Sequence, residues 1–220
     1  MIFLALIYLA FISLGLPDSL LGSAWPMMNA EFGVPTGNAG MVSMIVSGGT
    51  ILSSLLSHRV IRRVGTGKIT VVSVAMTAVA LLGFSRAPSF PWLLVCAVPL
   101  GLGAGTVDSG LNEFVAEHYA AKHMNWLHCF WGLGAMLGPA LISALARQGH
   151  LWRSGYLSIS AIQFALVALL LFSLPMWRPY EHAASKRAEA SKHAGARRGL
   201  LAPLRSRGAV FAMLTFFLYT

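Results

Sequence analysis

A chain of 220 residues that is 56% hydrophobic and only 10% charged, with a mean hydropathy of +0.70, is too poor in charge for a water-soluble domain, where about 25% of residues are ionised. The net charge of +9 would fit a nucleic-acid surface if the cations shared one folded face, but they cluster at the ends of apolar segments. These properties exclude a soluble enzyme or nucleic-acid-binding module and leave a membrane protein.

Apolar windows long enough to cross a bilayer, about 20 residues each, recur at 2–21, 40–57, 69–84, 91–115, 126–146 and 155–176, and a seventh starts at Gly208. None alternates with a period of two, so helices are the spanning structure that satisfies the backbone. The first window lacks the basic start and small-residue cleavage site of a signal peptide. The expected fold is therefore all-α. It comprises a six-helix transmembrane bundle at 1–177, a cytoplasmic basic linker at 178–207 and a truncated seventh helix at 208–220. That last stretch would reach only about 20 Å across a hydrocarbon core of about 30 Å. The sequence thus predicts half of a longer, twelve-span protein. The linker reads as a solvated segment, or as an amphipathic helix against anionic lipid.

Basic residues set the topology. Thirteen lie between spans two and three (Arg59, Arg62, Arg63, Lys68), four and five (Lys122), or six and seven, against three on the other side, Arg86, Arg147 and Arg153. By the positive-inside rule the first group and the N-terminus are cytoplasmic.

Acids within apolar spans are costly and normally face a wet cavity or another helix. Asp18, Asp108 and Glu113 qualify. Asp18 follows Pro17, which cannot donate to the helix ladder and frees a carbonyl one turn back, so a kink is expected at the acid. Asp108 follows a glycine-rich run and shares a helix face with Asn112; Glu113 and Glu117 share another, where cytoplasmic cations would meet them. In span five, His128 and Trp131 share a face. Trp131 fits a sugar-stacking platform or a buried aromatic, and His128 fits a proton relay or a core histidine. Gly134 and Gly138 form a GxxxG pair suited to close helix contact. Cys96 and Cys129 have no paired spacing and read as packing residues.

An internal echo accompanies these acids. "PDSLL" at 17–21 matches "VDSGL" at 107–111 in character, and at the same offset of 90 residues "GGTILS" falls on "GPALIS". Spans one and four run in opposite directions, as an inverted repeat of three plus three helices requires.

Six spans, a basic linker and a seventh span resemble the N-terminal half of a major facilitator superfamily transporter. "SHRVIRRVGTGK" (57–68) sits where that superfamily carries its basic loop motif, with His58 near the place of the usual acid. The aspartate before "SLL" in span one, "GLGAGTVDSGLNEFV" in span four and "LHCFWGLGA" in span five look most like the fucose:proton symporter group and its bacterial relatives. That resemblance implies proton coupling at Asp18 and Asp108, although Asp108 replaces a glutamate. It also implies a solute site near Asn112, His128 and Trp131, and a gating loop at Arg59, Arg62 and Arg63.

The resulting expectation is a secondary transporter of the cell membrane, a proton-coupled symporter of a sugar or similar polar solute working by alternating access. Its partners would be that solute, protons, the lipid bilayer and a missing C-terminal six-helix half. No nucleic acid, cofactor, metal or catalytic residue is expected. "GLGAMLGP" in span five is similar to an antiporter signature, which leaves an efflux antiporter as the alternative, together with a non-transporting truncated membrane protein. An intramembrane enzyme lacks a paired-histidine metal motif or an activated serine.

Overall fold

The first apolar window does not form one helix. In the computed structural model, which describes residues 2–149, 151–193 and 211, α1 (Ile2–Asp18) stops at the acid and α2 (Leu20–Phe32) begins after Ser19. The interruption falls one residue beyond Asp18, where Pro17 removes a ladder donor. The span also runs further than the apolar window: Trp25, Met28 and Phe32 carry it beyond residue 21, until Gly33 turns left-handed at φ 63° and closes α2 with its N–H on Asn29. A residue with a Cβ resists that conformation.

The remaining helices are α3 (Asn38–Val64), α4 (Thr66–Ser85), α5 (Phe90–His118), α6 (Ala121–Arg147) and α7 (Trp152–His193). Gly65, at φ 93°, is the single residue joining α3 to α4. Extended Ser89 precedes α5, and Pro91 occupies its first turn, where a missing N–H costs nothing. Among the described residues, six helices are long and apolar enough to cross a membrane: Phe3–Phe32 taken as one, α3, α4, α5, α6 and Trp152–Trp177 of α7. No strand occurs among the described residues. The molecule is an all-helical, multi-pass membrane protein.

Two compact units are distinguishable, Met1–Arg178 and Pro179–Thr220. In the second, the chain is helical to His193, so the first part of the linker forms helix, as its Ala, Glu, Lys and Arg content favours. The rest of the linker and the seventh span expected from Gly208 lie outside the described residues, Phe211 apart.

Within the first unit, glycines bring helix backbones together. A Cβ on Gly15 would run into the Trp131 carbonyl of α6, and one on Gly134 or Gly138 into the carbonyls of Ile12 or Leu16 on α1. Across the bundle, a Cβ on Gly101 or Gly105 of α5 would meet the carbonyls of Val46 or Thr50 on α3. Thr50 and Ser54 also donate hydroxyl bonds, each of 3.2 Å, to the carbonyls of Gly101 and Gly105. A Cβ on Gly103 of α5 would likewise meet the Ser73 carbonyl on α4. Backbone therefore lies close on backbone along α1–α6, α3–α5 and α4–α5. The offset that carries Asp18 to Asp108 also carries Gly15 to Gly105, and at the level of whole helices it relates the α1–α6 seam to α3–α5.

An apolar core closes the bundle at the end away from the basic loops, where Leu20, Met28, Leu81, Phe84, Leu93 and Tyr156 are buried. A polar clasp sits beside it. Glu31 of α2 accepts from Trp152 Nε1 at 2.6 Å and pairs with Arg153 Nη2. Arg153 also donates to Ala87 O at 2.7 Å and lies 4.5 Å from the Trp152 ring centroid. One guanidinium thus joins α2, the end of α4 and α7.

Candidate functional site

The break in the first span determines how Asp18 is presented. Because α1 ends there, its carboxylate projects from a helix terminus onto the exposed face of the α1–α6 seam, where Oδ2 accepts from Trp131 Nε1 at 2.7 Å. Ser19, in the break, donates from its hydroxyl to the Ala135 carbonyl one turn further along α6. Asp18 and Ser19 are thus bonded in register to Trp131 and Ala135.

Asp108 approaches from α5. It is half-buried, and its Oδ1 accepts from Asn112 Nδ2 at 3.0 Å, the bond expected of residues one turn apart. Asp108 is close enough to Asp18 for their charges to act on one another, and it also lies in the field of His128. Phe11 meets His128 edge-on at 6.4 Å between centroids. Five residues singled out in the sequence, Asp18, Asp108, Asn112, His128 and Trp131, therefore converge from α1, α5 and α6. Neither aspartate has an ion-pair partner among the described residues.

The aromatic character of this region extends beyond the residues singled out. Tyr8 OH is 2.8 Å from His123 Nδ1, and the Tyr8 ring stacks on Phe130 at 4.7 Å. Trp126 lies 6.0 Å from Phe130 on the same helix. The sequence reading missed this wall. Its signal was there, in His123, Trp126 and Phe130, the spacing of one helix face.

Arg59, Arg62 and Arg63 lie apart from this cluster, exposed at the end of α3. The ion pair formed there is His58 Nδ1 to Glu113 Oε1, 3.0 Å, linking α3 to α5. Glu113 thus meets a histidine at the loop end. Among the described residues no group of three or more His, Cys, Asp or Glu could hold a metal ion. Two apolar grooves, of about 340 Å³ beside Leu9, Leu16 and Leu169 and about 500 Å³ beside Val72, Met76 and Leu171, are lined by hydrocarbon and contain none of the site residues.

The sequence profile of the Major Facilitator Superfamily matches residues 7–220. The chain belongs to that superfamily. Among curated proteins it is similar to the glucose/mannose transporter GlcP of Bacillus subtilis, 25% identical over 175 residues, which cover 79% of this chain and 43% of the relative. It is 27% identical over 143 residues to the bypass of stop codon protein 6 of Saccharomyces cerevisiae, covering 64% of this chain and 29% of the relative. Human synaptic vesicle glycoprotein 2A is 25% identical over 161 residues, 66% of this chain and 22% of the relative. The chain thus spans less than half the length of each of these relatives. Superfamily membership agrees with the six membrane-length helices among the described residues.

Proposed function

We propose that this chain is the N-terminal half of a proton-coupled transporter of a small polar solute, in which Asp18 and Asp108 exchange protons and Asn112, His128 and Trp131 line the solute site. The observation that carries the reading is the approach of two span-interior carboxylates, from different helices and with no salt bridge among the described residues, beside an exposed indole. An acid kept in an apolar span without a permanent cation takes its compensating charge from outside the fold, from a proton or from a cation in transit. The indole face suits the apolar side of a sugar ring. The similarity to a glucose/mannose transporter supports a sugar over other solutes, and the span-one, span-four and span-five segments resemble the fucose:proton symporter group.

The glycines of the stretch that resembles an antiporter signature have another explanation. Gly134 and Gly138 stand where α6 touches the backbone of α1, so packing accounts for them and symport is the reading retained. A second six-helix half would lie against α3 and α6, whose exposed faces carry Met44, Ile51 and Leu55, and Met136. The basic loops and N-terminus would lie in the cytoplasm.

The test is uptake of radiolabelled glucose into vesicles bearing the full-length protein, driven by an imposed pH gradient. Asp18→Asn and Asp108→Asn should each lower gradient-driven uptake at least tenfold while leaving the protein in the membrane, and exchange of sugar without a gradient should survive better. Unchanged uptake with unchanged pH dependence in both variants would remove the assignment.

A further inference from the structure

A proline inside a helix has no N–H, so the carbonyl four residues earlier loses its ladder partner. For Pro17 that is the Ser13 carbonyl, and for Pro139 the Ala135 carbonyl. Both are met by side chains from elsewhere in the bundle. Gln163 of α7 donates from Nε2 to Ser13 O at 3.0 Å, and Ser19 donates from its hydroxyl to Ala135 O. Gln163 is only 1% exposed, and its Oε1 accepts from Thr77 Oγ1 of α4 at 2.6 Å. The amide is therefore held from α4 and aimed at the carbonyl that the proline releases.

We propose that Gln163 is a positioning residue for Asp18, capping the carbonyl released by Pro17 and so fixing the helix break that delivers Asp18 to Trp131. The break is anchored on both sides: by Gln163 at Ser13, before the proline, and by Ser19 at Ala135, after it. Asp18 lies between the two anchors. Without the Gln163 amide the Ser13 carbonyl is left unpaired in an apolar interior, and the segment turns to satisfy it, carrying the acid with it. A buried glutamine that merely glued helices together would matter equally whether residue 17 were proline or not. A cap on a proline-released carbonyl matters only while the proline is there.

This proposal rests on reading Asp18 as a proton-exchanging group, and the experiment separates the two. The chain is prepared with 5-fluorotryptophan in lipid nanodiscs. Of the six tryptophan ¹⁹F resonances, that of Trp131 is assigned with Trp131→Phe and followed against pH. Its neighbours in charge are Asp18, Asp108 and His128. A titration that is present in the parent and lost in Asp18→Asn supports the reading of Asp18; its absence from the parent, or its survival in Asp18→Asn, overturns that reading and the proposal with it.

Where Asp18 does titrate, Gln163→Met should displace the Trp131 resonance and move its midpoint by about 0.5 pH unit or more, with the other resonances in place. In a Pro17→Ala background, which gives the Ser13 carbonyl a backbone N–H again, the same substitution should have less than half that effect. Should Gln163→Met not fold, Gln163→Asn, which keeps the amide but is one methylene shorter, carries the test with the same expectation. A Trp131 titration unaltered by loss of the Gln163 amide, or an effect of equal size with and without Pro17, overturns the positioning role.

Discussion

Gly105 offers the most direct test of how the bundle is assembled. Replacing it with alanine adds a single Cβ, which would meet the Thr50 carbonyl and the Ser53 hydroxyl and lie 2.8 Å from Thr50 Cα. Ordinary carbon–carbon contact begins at about 3.5 Å, so α3 has to retreat by roughly 0.7 Å. The obstacle is mostly backbone, so no rotamer change relieves it. Overpacking of this kind costs about 1–3 kcal/mol. The retreat also stretches the Thr50 and Ser54 bonds to the Gly101 and Gly105 carbonyls, both already 3.2 Å, at about 0.6 kcal/mol each. The total is about 2–4 kcal/mol.

Gly132→Ala is the matched control, because an added Cβ there meets nothing within 4 Å; alanine's better helix propensity makes it neutral or slightly stabilising. Reversible unfolding of the detergent-solubilised protein by titration with sodium dodecyl sulfate measures both. Equal stabilities for Gly105→Ala and Gly132→Ala would refute the claim that backbone contact forms the α3–α5 seam.

The clasp at the opposite end from the basic loops should behave as a partly buried, hydrogen-bonded charge. Arg153→Gln removes the bonds to Glu31 and Ala87 and should cost about 1.5–3 kcal/mol in the same assay; a loss within error would mean that aromatic packing alone holds that end. The His58–Glu113 pair is more exposed on its basic side, with 62% of the His58 side chain open against 27% for Arg153, the two glutamates being alike. A double-mutant cycle with His58→Ala and Glu113→Gln should therefore return a coupling below about 1 kcal/mol. Coupling of several kcal/mol would show that the basic end of the α3–α5 seam is shielded from solvent.

Helix number and order were legible in the sequence because apolar windows of span length have few competing solutions in a bilayer. Lengths were less legible: α2 continues to Phe32 through Ser23, Pro26 and Asn29, which an apolar window counts as an end, whereas the helix ends only where Gly33 turns. The interruption after Asp18 was readable because a proline leaves a local mark. The meeting of Asp18 with Trp131 was not, since residues 113 positions apart are joined by packing that no local pattern records. Gln163 shows the same limit from the other side. Nothing around it in span six distinguishes it from a stray polar residue, and its meaning appears only when α1 and α7 are seen together. The Glu31–Arg153 clasp also went unread, because each residue sits at a helix end where charge is unremarkable in a membrane protein.

The glycine seams divide the bundle's chemistry between two mechanical units. Where main chain lies on main chain there is no side chain to slide or swing, so α1 and α6 form one plate and α3, α4 and α5 another. Asp18, Ser19, His128 and Trp131 ride on the first; Asp108 and Asn112 ride on the second. Any rocking of plate against plate changes the gap between the two acids, and a pair of spectroscopic labels placed beside them would serve as a ruler for it.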